Sequence, residues 1–287
     1  MTRRTLAGRC GAVLIGIVIA SCGSPPAGPG PVTPPPPPPV NVPPTIESIA
    51  IGAERAEIGD DVTVTATVRD PETAITDLQF AWSADAGTFS GEGASVKWRP
   101  PSEGATPAEY TMRLTVTETY GVADAGGVRP KNVVSATSGG AVRVHNSPRE
   151  IGDMSLAFLR DFANSAIPAD LAVRDFSDSC PGKADERSNV ADNRVHYEVL
   201  SASLNLVNAS MAGSRATGNA RVACSFTSLV KACQPGRANC KVGSTEKVAG
   251  DCVLATVYEQ RRWWLCDSRF ENGVDLPLAR AFFGEHR

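Results

Sequence analysis

Asp61–Arg69 reads DVTVTATVR, in which Val62, Val64, Ala66 and Val68 alternate with Thr63, Thr65 and Thr67. A period of two puts the apolar side chains on one face of a strand and the threonines on the other. Leu78–Ser83 (LQFAWS) and Tyr110–Thr117 (YTMRLTVT) repeat the pattern, and Ala141–His145 supplies a last short strand. Asp70-Pro71-Glu72, Ala86-Gly87, Gly91-Glu92-Gly93 and Pro100-Pro101 separate them with turn chemistry. Several short strands without a helix-period segment predict an all-β sandwich over residues 45–146. The stretch holds no Cys, so no disulfide bridges its sheets, and Trp82 is its expected core tryptophan.

Upstream, 12 of the 20 residues from Pro25 to Pro44 are proline, six of them consecutive at Pro34–Pro39. Such a run adopts polyproline II, at about 3.1 Å per residue, and predicts a stiff tether over residues 22–44. Before it, Arg3, Arg4 and Arg9 precede the apolar run Gly11–Ala20, which is too short to span a bilayer. The run ends in Ile19-Ala20-Ser21-Cys22, which resembles a bacterial lipoprotein signal. That resemblance implies removal of residues 1–21, acylation of Cys22 and a membrane partner reached through the lipid. Gly23, where an Asp would retain the protein, implies the outer membrane of a Gram-negative-type bacterium, on its periplasmic or its outer face. An ordinary secretory signal with an incidental Cys is the alternative.

Downstream, the period changes. Ser147 reads as a helix N-cap, Pro148 suits the first helical position and Glu150 completes a capping box. Ile151, Met154, Phe158, Leu159 and Phe162 then form one apolar stripe. Ala169–Phe176 and Lys183–Ala191 read as shorter helices. His196–Leu206, Ala220–Val230, Gly250–Glu259 and Arg262–Phe270 read as strands, the last two joined by a tight turn at Gln260-Arg261. Helices followed by an antiparallel meander predict an α+β domain over residues 147–287, with its helices on one face of the sheet.

The series Asp70-Pro71-Glu72, Phe80-Ala81-Trp82-Ser83, Gly87-Thr88-Phe89, Val96-Lys97-Trp98-Arg99-Pro100, Tyr110-Thr111 and Tyr120-Gly121 resembles polycystic-kidney-disease (PKD) and related immunoglobulin-like domains. It departs from them at Glu118-Thr119-Tyr120-Gly121, where the family often has Asp-Gly-x-Gly. Modules of that type space or adhere. Asp153–Ala163, Ala220–Thr227 and Arg262-Trp263-Trp264-Leu265 resemble, in order, the nuclear-transport-factor-two-like family. That resemblance implies a cone in which a curved sheet wraps the first helix. The fold class expected is therefore multidomain: an immunoglobulin-like sandwich followed by an α+β cone.

Six of the eight cysteines fall in the last region: Cys180, Cys224, Cys233, Cys240, Cys252 and Cys266. An even number in an exported domain implies disulfides, and the spacings are too wide for paired zinc ligands. Folding Ala220–Val230 onto Gly250–Glu259 brings Cys224 near Cys252, and Cys233 and Cys240 can close the loop between them. Cys180 is then left for Cys266, although other pairings remain open.

Chemistry is sparsely marked. The three histidines, His145, His196 and His286, stand in no nucleophile or metal motif, and there is no glycine-rich phosphate loop. Enzymes of the cone family use an Asp base with Tyr or protonated Asp donors, which makes Asp161, Asp175, His196, Tyr197 and Tyr258 the candidates here. Arg261-Arg262-Trp263-Trp264 is a possible partner-binding patch, so Trp263 and Trp264 join Asp161, His196, Tyr197 and Tyr258 as binding candidates. Asp60, Asp61, Asp70, Glu72 and Asp77 offer oxygen ligands for Ca²⁺ but read more simply as solvated turn residues, so no metal or cofactor is expected.

Charge bounds the partners. Without Arg3, Arg4 and Arg9 the chain carries 25 Lys+Arg against 31 Asp+Glu, which argues against nucleic acid. Residues 45–147 hold 8 basic and 14 acidic side chains, while 148–287 hold 17 of each. The sandwich is the acidic spacer and the neutral tip is the contact surface. The sequence thus predicts a non-enzymatic lipoprotein whose tip binds an envelope protein or a small apolar ligand, or pairs with itself as a homodimer. The alternatives are an isomerase- or hydrolase-like enzyme with a cone-shaped pocket and a purely structural, self-associating envelope protein.

Overall fold

In a computed structural model of the chain, residues 40–124, 126–237 and 239–271 are described. The leader, Cys22, most of the proline run and His286 lie outside them. The described residues are β-rich, with three four-stranded sheets and few helices among them. The described residues from Asn41 onwards form one compact unit.

The first eight strands make two sheets. They are β1 (Thr45–Ile51), β2 (Arg55–Glu57), β3 (Val62–Arg69), β4 (Gln79–Ala84), β5 (Thr88–Ser90), β6 (Ser95–Arg99), β7 (Ala108–Asp124) and β8 (Gly127–His145). One sheet runs β1-β3-β6-β5 and the other β2-β8-β7-β4. Val62, Val64, Val96 and Trp98 from the first meet Met112, Val142 and Val144 from the second in one buried core. The alternation of β3 is visible directly, with Val62, Val64 and Ala66 buried and the threonines between them exposed.

Two features differ from the sequence expectation. Trp98, not Trp82, is the fully buried tryptophan. Trp98 sits on β6 inside its sheet and donates from Nε1 to Ala86 O at 3.0 Å, whereas β4 is an edge strand and leaves Trp82 half-buried against Phe89. The last strand is also not short. β8 runs 19 residues and pairs with β7 from Asp124↔Gly127 to Ala108↔Val144. Gly139 and Gly140 look like breakers in sequence, but a Cβ on Gly139 would lie 2.8 Å from Ile49 of β1. The glycine admits a close neighbour without ending the strand.

Then come α1 (Ser147–Ala163), α2 (Ala169–Ala172), α3 (Gly182–His196), β9 (Tyr197–Met211), β10 (Thr217–Val230), β11 (Thr245–Glu259) and β12 (Arg262–Glu271). The sheet is an antiparallel meander in the order β12-β11-β10-β9. The N-cap of α1 is Asn146, one residue before the serine expected. Its side chain accepts from Arg149 N, and Glu150 reaches back to Asn146 N at 3.0 Å. The stretch 169–176 is helical only to Ala172; Phe176 instead forms an isolated parallel bridge with Leu265. His196 belongs to the last turn of α3 rather than to a strand, with Nδ1 bonded to Asp192 O one turn back at 3.0 Å.

Phe158 and Phe162 of α1, Phe176, Tyr197 and Phe226 fill the space between the helices and this sheet, each 3% exposed or less. Three disulfides join Cys180 to Cys266, Cys224 to Cys252 and Cys233 to Cys240. The first ties the segment before α3 to β12, the second crosses between β10 and β11, and the third closes the loop between those strands.

Candidate functional site

The densest polar cluster lies where β8 passes into α1. β8 ends at His145, Asn146 caps the helix, and Ser147 opens it with no exposed surface. Buried backbone at such a turn needs partners, and β2 provides them. Glu57 accepts from Ser147 N at 3.0 Å and from Ser147 Oγ at 2.8 Å. Ser147 Oγ in turn accepts from Arg55 Nη2 at 2.9 Å and from Trp263 Nε1 at 2.8 Å. Arg55 pairs with Glu57 at 2.7 Å, donates to Arg215 O at 2.7 Å and stacks its guanidinium 3.7 Å from the Tyr258 ring centre. One buried serine hydroxyl is thus held by β2, β12 and its own helix.

Beside it runs a second chain of contacts. Glu150 Oε2 lies 2.7 Å from His145 Nδ1, and His145 Nε2 lies 3.0 Å from the Tyr258 hydroxyl. Burial acts to raise the Glu150 carboxyl, but the hydrogen bonds and charge of His145 and the Asn146 N–H outweigh it and hold the group below its usual value. With Glu150 ionised, His145 Nδ1 is the donor of that bond and Nε2 is left to the Tyr258 hydroxyl. Burial pushes the Tyr258 phenol up, against the pull of Arg55. The Glu150–His145–Tyr258 chain therefore orients β11 against the end of β8.

Ion pairs complete the joint. Arg215 is paired with both oxygens of Asp60 and lowers that carboxyl, and Arg261 Nη2 meets Glu109 at 2.8 Å. A cavity of about 320 Å³ lies here, lined by Gly52, Arg55, Asp60, Asp61 and Arg215 among others.

The residues singled out by sequence scatter. Tyr258 and Trp263 meet at this joint, their ring centres 5.4 Å apart. Asp161 pairs with Arg174 at 2.6 Å, Asp175 with Arg262 at 2.7 Å, and Tyr197 is buried with its hydroxyl accepting from Arg237. Trp264 bonds Glu259 O and carries Arg262 3.8 Å over its ring. Asp161, His196 and Tyr197 thus have separate local partners. Of the acidic turn residues, Asp61 holds Arg99 at 2.8 Å and Asp70 accepts from Glu72 N and Thr73 N. Among the described residues no group of three or more His, Cys, Asp or Glu is arranged to hold a metal.

Arg55 and Glu57 carry no local signal. They sit in a three-residue strand that no periodicity marks, and they meet Ser147 only through the tertiary fold. Another cavity, of about 510 Å³, lies between α2 and α3, where the Lys183–Asp178 and Arg187–Asp170 pairs and Cys180 line it. No protein-family model and no curated protein matches the chain.

Proposed function

We propose that the chain is a lipid-anchored protein of the bacterial outer membrane that acts by presenting its C-terminal region for contact, without catalysis. Cys22 is the lipidated residue, the proline run is the tether, residues 45–146 are a PKD-type immunoglobulin-like spacer and residues 147–287 are a cone of the nuclear-transport-factor-two-like kind. The observation that carries the non-catalytic part is the filled interior. The place where a cone enzyme would keep its pocket holds Phe158, Phe162, Phe176, Phe226 and Tyr197, all closed to solvent. The acids and tyrosines proposed for a catalytic role each have a local structural partner instead.

The spacer reading draws support from two four-stranded sheets sharing one core, and the cone reading from three helices followed by a four-stranded meander. Three disulfides suit an oxidising compartment. The test is metabolic labelling with a palmitate analogue in a Gram-negative host. Label is expected in the outer-membrane fraction of the wild type and absent from the Cys22→Ser variant. A chain that is exported but never labelled would be an ordinary secreted protein, and the anchor reading would fail.

A further inference from the structure

The two edges of the C-terminal sheet are protected very differently. On the β12 side, Ser177 N donates to Leu265 O and Leu265 N donates to Asp175 O, both at 2.8 Å, so part of that edge already has a backbone partner. The Cys180–Cys266 disulfide pins the covering segment. β12 also carries Arg262, Asp267, Arg269 and Glu271 in ten residues, the charge pattern that discourages strand addition.

β9 has no such cover or charge pattern, although β-bulges at Leu200 and Val207 interrupt its pairing with β10 and leave Ser201–Leu206 as the regular run. Among the described residues it pairs with β10 alone. Its 15 residues contain no proline and one charge, Glu198. Leu200, Leu206 and Val207 are 55%, 40% and 58% exposed, and Val195 just before the strand is 61% exposed. At about 3.4 Å per residue the regular run Ser201–Leu206 offers an edge of roughly 20 Å. Soluble proteins rarely leave such a run without a charge, a proline or a cover.

We infer that β9 is a homodimer interface, at which two copies of the chain join their sheets edge to edge through antiparallel β9–β9 pairing. The inference rests on taking the C-terminal region as the contact-making part of the protein, and is independent of the lipid. A second copy fits because the strand is complementary to itself. A two-fold axis at Leu204 sets Leu204 against its own copy, Leu206 against Ala202 and Ser203 against Asn205 within the regular run. The single charge, Glu198, lies beyond the Leu200 bulge and outside that run, so no like charges oppose within it. The closed symmetry pairs both β9 edges and leaves only the β12 sides, which are partly paired and carry alternating charges that discourage further growth.

The experiment uses residues 23–287, exported behind a cleavable leader so that no lipid is attached. Sedimentation velocity over a range of concentrations is combined with hydrogen exchange of β9. A dimer is expected, with slow exchange along β9. The exposed double variant Ser203→Lys/Val207→Lys is expected to sediment as a monomer, with its outward β9 amides exchanging at least tenfold faster. Its mass should still show three disulfides, and its melting profile should match the wild-type monomer. A chain that remains monomeric up to about 100 µM, an affinity too weak to matter, would overturn the inference. So would a dimer indifferent to the two lysines, or one that forms only after removal of residues 272–287, which would mean that the chain covers its own edge. None of these outcomes bears on acylation of Cys22, which the palmitate label reads separately.

Discussion

Glu186 lies on the buried face of α3 at 1% exposure, with one carboxylate oxygen accepting from Ser268 Oγ of β12 at 2.7 Å. Burial pushes its pKa up to about 7; the Ser268 bond opposes this and the charge of Asp267 adds to it. The folded protein therefore holds this proton more tightly than the unfolded chain. Its stabilising effect is complete below about pH 4.5 and declines as pH rises towards 7, by roughly 3 kcal/mol in all. Urea denaturation at pH 5 and pH 8 should show that loss in the wild type and little of it in Glu186→Gln, which keeps an acceptor for Ser268 but has no charge to bury. At the same scale, Gly87 has φ +87°, and a Cβ there would lie 2.5 Å from Arg99 O and 2.6 Å from Trp98 Nε1. Gly87→Ala is expected to cost more than about 2 kcal/mol and to shift the emission of the buried Trp98.

Among the elements, the C-terminal sheet depends on bridges of unequal reach. Cys180–Cys266 spans 86 residues and Cys233–Cys240 only 7. Loop entropy assigns about 4–5 kcal/mol to the first and about 2 kcal/mol to the last. Replacing Cys180 and Cys266 together by Ala should lower the denaturation midpoint about twice as far as replacing Cys233 and Cys240, and should leave the segment after α2 open to protease. It should also loosen the cover on the β12 edge, since that disulfide holds Ser177 near Leu265. Strands and helices were largely legible as elements because their signals are local: alternation in β3, the apolar stripe of α1, and the turn at Gln260-Arg261, both at positive φ. The length of β8 was not legible, because whether Gly139 ends a strand depends on Ile49, 90 residues away.

Across the whole molecule, the joint around Ser147 ties the first two sheets to the third. Arg55 is its central cation, and losing it leaves the Glu57 carboxylate buried with only Ser147 N and Oγ to satisfy it. Removing one partner of such a pair costs roughly 3 kcal/mol. Calorimetry should show one transition for the wild type, whereas Arg55→Ala should separate it into two, as each half then melts without the other. A single unshifted transition in the variant would show that the joint carries no coupling.

The sequence by itself determined what neighbours along the chain can encode: strand alternation, the start of α1, the charge difference between the halves and the supply of cysteines in the second. The tertiary structure alone decided which of these side chains meet. Arg55, Glu57, Ser147, Tyr258 and Trp263 come from four separate elements and share one buried hydrogen-bonded and stacked cluster. It likewise placed Trp98 rather than Trp82 in the core and, among the described residues, paired β9 with β10 alone while giving part of the β12 edge a backbone partner. Burial and edge exposure follow from how distant elements pack, and no local period in a sequence records that packing.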